Sequence, residues 1–433
     1  MKYIKLFNNA DESLTYLVNS ETVTSGWSTE GNVKGDSFVP HVSRVKGQKG
    51  SLLCGLNSVA FENSEGKVVV ESFYKGNIPD SNFMGVNATK AVIGGKVKSI
   101  GSSGFAQNFS LNEIYIPSSV TEIGEYCFFQ CSGLTNAKVE NLSSVGQSAF
   151  RQCYNLSSVT INGDVEELSE SMFRACRSLQ SFVTPPNVKT IEGYCFTSCS
   201  GMTSFTFNDK LQTIGFQGFG NCQALTSVTL PDSLEYIGSK AFQNCLNLTD
   251  LEVGSGLTTL VSDAYEYNTF TDTPLARITV SSDNPKFDSR NNCNCLVETS
   301  SNTAVFVGSE AQIPNTVTKL GNGCARGRFG LVTLNIPDSV TYIGRASFEY
   351  CENLTGVTIG TGITTIMTYA FYGCGNQFVS LTIKATTPPN LQNSDCLNSN
   401  ANLQIYVPSS AVNTYKTSAV WSAFASRIQA MPT

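Results

Sequence analysis

The chain has 433 residues and a net charge of -6, and only 14% of its residues are charged, against a usual share of about 25%. No basic run offers a counter-charge to a nucleic-acid backbone, and no window approaches the roughly 20 apolar residues of a membrane span. A surface so poor in charge must be covered largely by Ser, Thr, Asn and Gln.

Residues 1–9 carry basic side chains with no apolar stretch behind them, so they do not read as a secretory signal. Up to about residue 87 no fixed period is visible. Residues 3–6, 52–57 and 68–74 read as short strands punctuated by Gly, Ser and Asn. We expect a small β-rich N-terminal domain over 1–87, serving as a cap for an exposed repeat core or as an attachment domain.

A repeat then sets in. Hydrophobic residues open successive units at Ile100, Ile123, Val145, Leu168, Ile191, Ile214, Ile237 and Leu260, and again at Leu320, Ile343 and Ile366; all spacings within the two series are 23 except one of 22. A Cys follows eight residues after most openings (Cys131, Cys153, Cys176, Cys199, Cys222, Cys245, Cys351 and Cys374), with a Phe three residues before it. In the unit beginning at Leu225, Val228 and Leu230 alternate with Ser227 and Thr229, which is strand periodicity. Pro231 ends that strand for want of an N–H. Leu234 and Ile237 follow, Gly238 permits a turn, and Ala241, Phe242 and Cys245 sit at helical or 3₁₀ spacing. No unit can bury its apolar side alone, so stacked coils must share one core.

Between Leu260 and Leu320 the phase is lost. Residues 295–298 and 304–307 flank 299–303 and read as a hairpin inside an insertion over about 282–312. It is either a structural element or an excursion that carries binding. Residues 384–433 read as a closing segment.

Chemistry is sparse. With His41 as the sole histidine, a Ser/His or Cys/His nucleophile system has little room, and no phosphate-binding loop is present. No enzyme and no cofactor are expected. The eight periodic cysteines, among fifteen, should form an inward column of reduced thiols. Cys293-Asn294-Cys295 has the form of half a metal site, but no second pair accompanies it.

The run 336–344, with Phe348 and Cys351, resembles the BspA-like class of leucine-rich repeats, as do Leu230-Pro231-Asp232-Ser233-Leu234 and Ile237-Gly238. Residues 284–290 with Cys293-Asn294 resemble an insertion recurring in that family, and 384–389, 405–408 and Tyr415-Lys416 resemble its closing segment. The resemblance spans about 88–433. It implies a leucine-rich-repeat solenoid (88–383, then the cap), often displayed on bacterial surfaces, with adhesive roles toward a protein or glycan on a host or bacterial surface. Residues 1–9 and 38–43 resemble N-terminal segments of gut Bacteroides phage structural proteins, which implies an alternative: a virion-associated tail or receptor-binding component with the solenoid as spacer.

Alternation places two solvent-facing columns on the strands. Most members are Ser or Thr. The departures are Glu113 and Tyr115 at one end and Asp250, Glu252 and Arg277 beside the insertion, to which Arg290 is added; these six are the candidate binding residues. A site is also expected near Tyr406, Tyr415 and Trp421.

Overall fold

The computed structural model describes residues 2–7, 13–18, 58–63, 68–72, 76–86, 88–261, 269–397 and 401–432. The expected strand at 52–57, the segment 38–43, His41 and Cys54 lie outside them. The described chain divides into two compact units, 1–210 and 211–433. Each contains a length of solenoid built from stacked coils.

In the first unit, Lys2–Phe7 and Ser13–Val18 form an antiparallel hairpin. Ser58–Asn63 pairs antiparallel with both Val68–Ser72 and Ala88–Ile93. Ala88–Ile93 then pairs in parallel with Glu113–Tyr115, so antiparallel strands finish the edge of a parallel row. A second row of two-residue strands begins with Asn77–Ile78 against Ser99–Ile100. The Phe83 ring stacks on Phe105 at 5.1 Å. The coil pattern therefore starts ahead of residue 88. Ile78 and Phe83 stand 22 residues before Ile100 and Phe105, but no Cys follows Phe83 to mark the unit.

The regular coils among the described residues contribute a longer strand and a two-residue strand, and each opening hydrophobic residue ends one of the latter, as in Glu122–Ile123 and Tyr236–Ile237. The Pro-Asp-Ser step between them is a clasp. In the second unit, Asp232 Oδ1 accepts the N–H of Ser255 at 2.7 Å while the Ser233 hydroxyl donates to Leu211 O at 2.7 Å, so one tripeptide reaches both neighbouring coils. Asp338 and Ser339 repeat this with Thr361 and Val317.

The expected short helix after each opening is absent; the segment is a run of tandem turns. Phe128 N–H and Gln130 N–H donate to Ala149 O and Arg151 O of the next coil, whereas Phe129 N–H and Cys131 N–H close local turns on Tyr126 O and Phe128 O. Sending alternate N–H groups outward requires left-handed residues, and Tyr126 and Gln130 have φ of 54° and 60°. A helix would keep all these donors for itself, and the coils would lose their stitching. On this side Gln130 Nε2 donates to Gln152 Oε1 at 3.1 Å and Asn244 Nδ2 to Asn221 Oδ1 at 3.2 Å, an amide ladder.

The core is a column of rings and thiols. In the first unit Phe105, Phe128, Phe150, Phe173 and Phe196 stack at 5.1–5.5 Å, with planes within 17°. The thiols are more than small hydrophobes. Cys131, Cys153, Cys176 and Cys199 each donate to the carbonyl of the Phe in the preceding coil at 3.1–3.2 Å. In the second unit Cys245 and Cys374 do the same to Phe219 and Phe348. The fourteen described cysteines are all buried and form no disulfide among the described residues. Burial pushes the thiols of Cys131, Cys199, Cys245 and Cys351 up to about 12.

The insertion joins the stack. Cys295–Glu298 and Thr303–Val307 form the expected antiparallel hairpin, joined by Phe287–Asp288. Thr303–Val307 then pairs in parallel with Lys319–Leu320 and enters the short-strand row. Its Phe306 extends the ring column from Phe270 at 5.5 Å, where the next coil has Ala325 in place of Phe. Arg328 stands where other coils have Cys. It is fully buried, with its guanidinium over Phe306 at 4.2 Å and its Nη1 donating to Thr273 Oγ1 at 2.8 Å.

At the C-terminal end Ser380–Ile383, Gln404–Val407 and Ile428–Ala430 extend the long-strand row. The helix Val412–Thr417 and the 3₁₀ turn Val420–Arg427 bury Tyr415, Trp421 and Phe424. Of the three residues around which a C-terminal site was expected, Tyr415 and Trp421 are buried and Tyr406 is half-buried. The Tyr415 hydroxyl donates to Ala385 O at 2.9 Å and Trp421 Nε1 to Pro389 O at 2.7 Å, so both polar ends are used inside the cap.

Candidate functional site

The register of the long strands places the outward side chains in rows. In the first unit Asn136 pairs with Ser158 and Lys138 with Thr160, and Ser181 pairs with Ser204 and Val183 with Thr206. In the second, Ser227, Asp250 and Arg277 share one row, and Thr229, Glu252 and Thr279 share the next. The alternation of exposed and buried residues along each strand follows from the pleat.

The six candidate residues fall into three places. Glu113 and Tyr115 lie in the first unit, where Lys90 Nζ approaches Glu113 at 3.2 Å and Tyr115 is 49% exposed. Asp250, Glu252 and Arg277 are brought together on adjacent strands of the second unit. Asp250 forms an ion pair with Arg277, whose side chain is 65% exposed. Thr249 Oγ1 donates to Asp250 at 2.6 Å, and Thr229 Oγ1 donates to Glu252 at 3.0 Å. The Thr249 hydrogen bond, and after it the Arg277 guanidinium, hold the Asp250 carboxyl below the usual range. Arg290 is engaged within the insertion, donating to Asp288 at 2.6 Å and to Asn302 at 2.9 Å.

The turn side of the second unit holds a cluster that the strand columns do not reveal. Arg326 forms an ion pair with Glu349 at 2.9 Å and lies 5.6 Å from the Tyr350 ring centre. Tyr350 and Tyr372, 42% and 37% exposed, meet edge to face at 6.2 Å, and Arg345 lies over Tyr369 at 5.3 Å. Tyr and Arg are the types enriched in binding hot spots. The signal in the sequence was Tyr350, which stands where Gln130, Gln152, Asn221 and Asn244 stand in earlier coils. Among the described residues, no group of three His, Cys, Asp or Glu side chains could hold a metal ion, and no helix is long and apolar enough to cross a membrane.

The model of the BspA-type leucine-rich repeat region matches six copies, over residues 76–203, 189–304 and 304–404. The chain belongs to the BspA-type leucine-rich repeat family. Its first matched copy begins where the short-strand row begins. Two solved structures share the fold of this BspA-type chain. A leucine-rich cell surface protein from Faecalibacterium prausnitzii is 21% identical with a TM-score of 0.50, covering 84% of this chain and 90% of the other. A leucine-rich repeat protein from Bacteroides ovatus is 19% identical with a TM-score of 0.52, covering 84% and 89%. No curated protein matches the chain in sequence.

Proposed function

We propose that this BspA-type chain is a non-catalytic recognition scaffold, displayed on a surface, that binds a protein or glycan on another surface. The observation that carries the reading is the break in the hydroxyl rows at Asp250, Glu252 and Arg277. Serine and threonine rows keep a strand face wet and give little binding energy. A carboxylate pair and a guanidinium on adjacent strands offer directed, charge-assisted hydrogen bonds. The cell surface description of the Faecalibacterium neighbour supports the placement. The virion-component alternative draws no support from these comparisons.

Labelled protein added to human epithelial cells and to gut bacteria tests the reading. Saturable binding is expected, lost on alanine substitution of Asp250, Glu252 and Arg277 together and retained when Ser204 and Thr206 are replaced. Protease or periodate treatment of the cells separates a protein from a glycan partner. Loss of binding in Tyr350→Ala/Tyr372→Ala, with the charged triple variant unaffected, would move the site to the turn side. No saturable binding to either cell type would overturn the reading.

A further inference from the structure

Cys293 and Cys295 differ from the column cysteines in geometry and in surroundings. They belong to the insertion, separated by one residue, with Cys293 closing the 3₁₀ turn Arg290–Asn292 and Cys295 opening the strand Cys295–Glu298. Their sulfurs cross over: Cys293 Sγ is 3.7 Å from Cys295 O, and Cys295 Sγ is 3.5 Å from Cys293 O. An extended two-residue step spans about 6.6 Å, near the upper limit of roughly 6.8 Å between α-carbons in a disulfide. Asn294 is left-handed, with φ of 52°, which breaks the extension and shortens that step. Cys293 is buried but directly follows the exposed residues Asn291 and Asn292. It is less deeply enclosed than column thiols such as Cys153 and Cys176.

The electrostatics agree. The Cys295 side chain is close enough to hydrogen-bond an ionised Cys293, and this first of all holds the Cys293 thiol below the ordinary range. The same bond and burial raise Cys295. The Arg290 guanidinium adds a favourable interaction with Cys293. A stabilised thiolate beside a second thiol is the arrangement that reacts by exchange.

We propose that Cys293 and Cys295 form a dithiol modification site that reacts with small-molecule disulfides. The Cys293 thiolate attacks one sulfur of the disulfide RSSR, forming a mixed disulfide and releasing RS⁻. The Cys295 thiol gives its proton to that RS⁻ and attacks Cys293 Sγ, closing the Cys293–Cys295 bond and expelling the second RS⁻. Two protein thiols are oxidised and one RSSR is reduced. Closure would fix the start of the hairpin whose second strand enters the short-strand row.

The full chain carrying Cys54→Ser, treated with oxidised glutathione and analysed by intact mass and peptide mapping, tests this. The expected product has lost two hydrogens, carries a Cys293–Cys295 bond and has released two glutathiones per chain. Cys295→Ser is expected to stall as a glutathione adduct on Cys293, and Cys293→Ser to be inert at both positions. Modification at Cys293 should outpace that of column cysteines such as Cys131 and Cys245 by at least roughly tenfold. An unmodified pair, or glutathione distributed equally over Cys293 and the column, would overturn the proposal. Where a serine variant loses its circular dichroism, the peptide map of the Cys54→Ser chain decides alone.

Discussion

Phe173→Ala probes the ring column at its most enclosed point. Phe173 is fully buried, stacked on Phe150 at 5.5 Å and on Phe196 at 5.3 Å, with Phe182 tilted against it at 5.4 Å. A Phe side chain of this kind buries about 150–250 Å². Truncation to Ala forfeits roughly 100 Å² of that, about 2.5 kcal/mol at 25 cal/mol per Å². The flanking rings are held by the backbone stitching and cannot close the gap, so a cavity term brings the loss to about 3–5 kcal/mol. Phe173→Leu keeps much of the volume and should cost about 1.5 kcal/mol or less. Urea unfolding followed by far-UV circular dichroism gives the loss. Amide exchange should show it concentrated in the coils containing Phe150, Phe173 and Phe196, because coils couple chiefly to their neighbours. A loss under about 1 kcal/mol, or equal losses for Ala and Leu, would refute close packing of the column.

Further outcomes follow from the same geometry. Ala175 has φ of 63°, a conformation that costs an L-residue about 1–2 kcal/mol; after the extra chain entropy of glycine, Ala175→Gly should raise stability by about 0.5 kcal/mol, and a lowered urea midpoint would contradict the tandem-turn backbone. Arg328 keeps two buried nitrogens, Nε and Nη2, without a hydrogen-bond partner, so Arg328→Met should be neutral or stabilising in thermal unfolding, whereas a loss above about 2 kcal/mol would show that the charge is needed. Asp232 and Asp338 are held below the ordinary value of 3.8 by the N–H groups of Ser255 and Thr361. Folded values below the unfolded value mean that their stabilisation is complete above about 3.8 and is lost as pH falls through the lowered folded value. The double variant Asp232→Asn/Asp338→Asn should flatten the fall of the urea midpoint on acidification, and an unchanged slope would remove these clasps from the account.

The fold was legible because a solenoid repeats its physics. Ile123, Phe128 and Cys131 recur in phase as every coil meets the same neighbours, so periodicity reports the core directly. The strand rows were legible from alternation, down to the facing of Asp250 against Arg277. The turns were not. Ala, Phe and Cys at Ala241, Phe242 and Cys245 have a spacing that suits a helix or a tandem turn equally. Most left-handed positions carry Ser, Gln, Asn, Tyr or Ala, and glycine marks only a few, such as Gly327 and Gly373. Tyr415 and Trp421 misled for a related reason: an aromatic near the end of a repeat looks like an exposed anchor, but the last coil needs large side chains to seal it. Ala325 and Arg328 were silent because their meaning depends on Phe306, which comes from outside the period. Of the candidate residues, Asp250, Glu252 and Arg277 form one cluster, and the Tyr350–Tyr372 cluster was invisible to a reading of strand faces alone.

The division between a replaceable scaffold and a specific charged break is tested most directly by excising one coil in phase. Deletion of residues 158–180 removes 23 residues and joins Ser157 to Ser181, leaving a strand of the same alternation to follow Asn136–Val139. The binding isotherm of this variant on the cells used above is the decisive measurement. The account predicts a folded chain with the affinity of the parent. A chain that keeps its circular dichroism and cooperative unfolding but loses binding would contradict it, because the regular coils would then carry the recognition themselves.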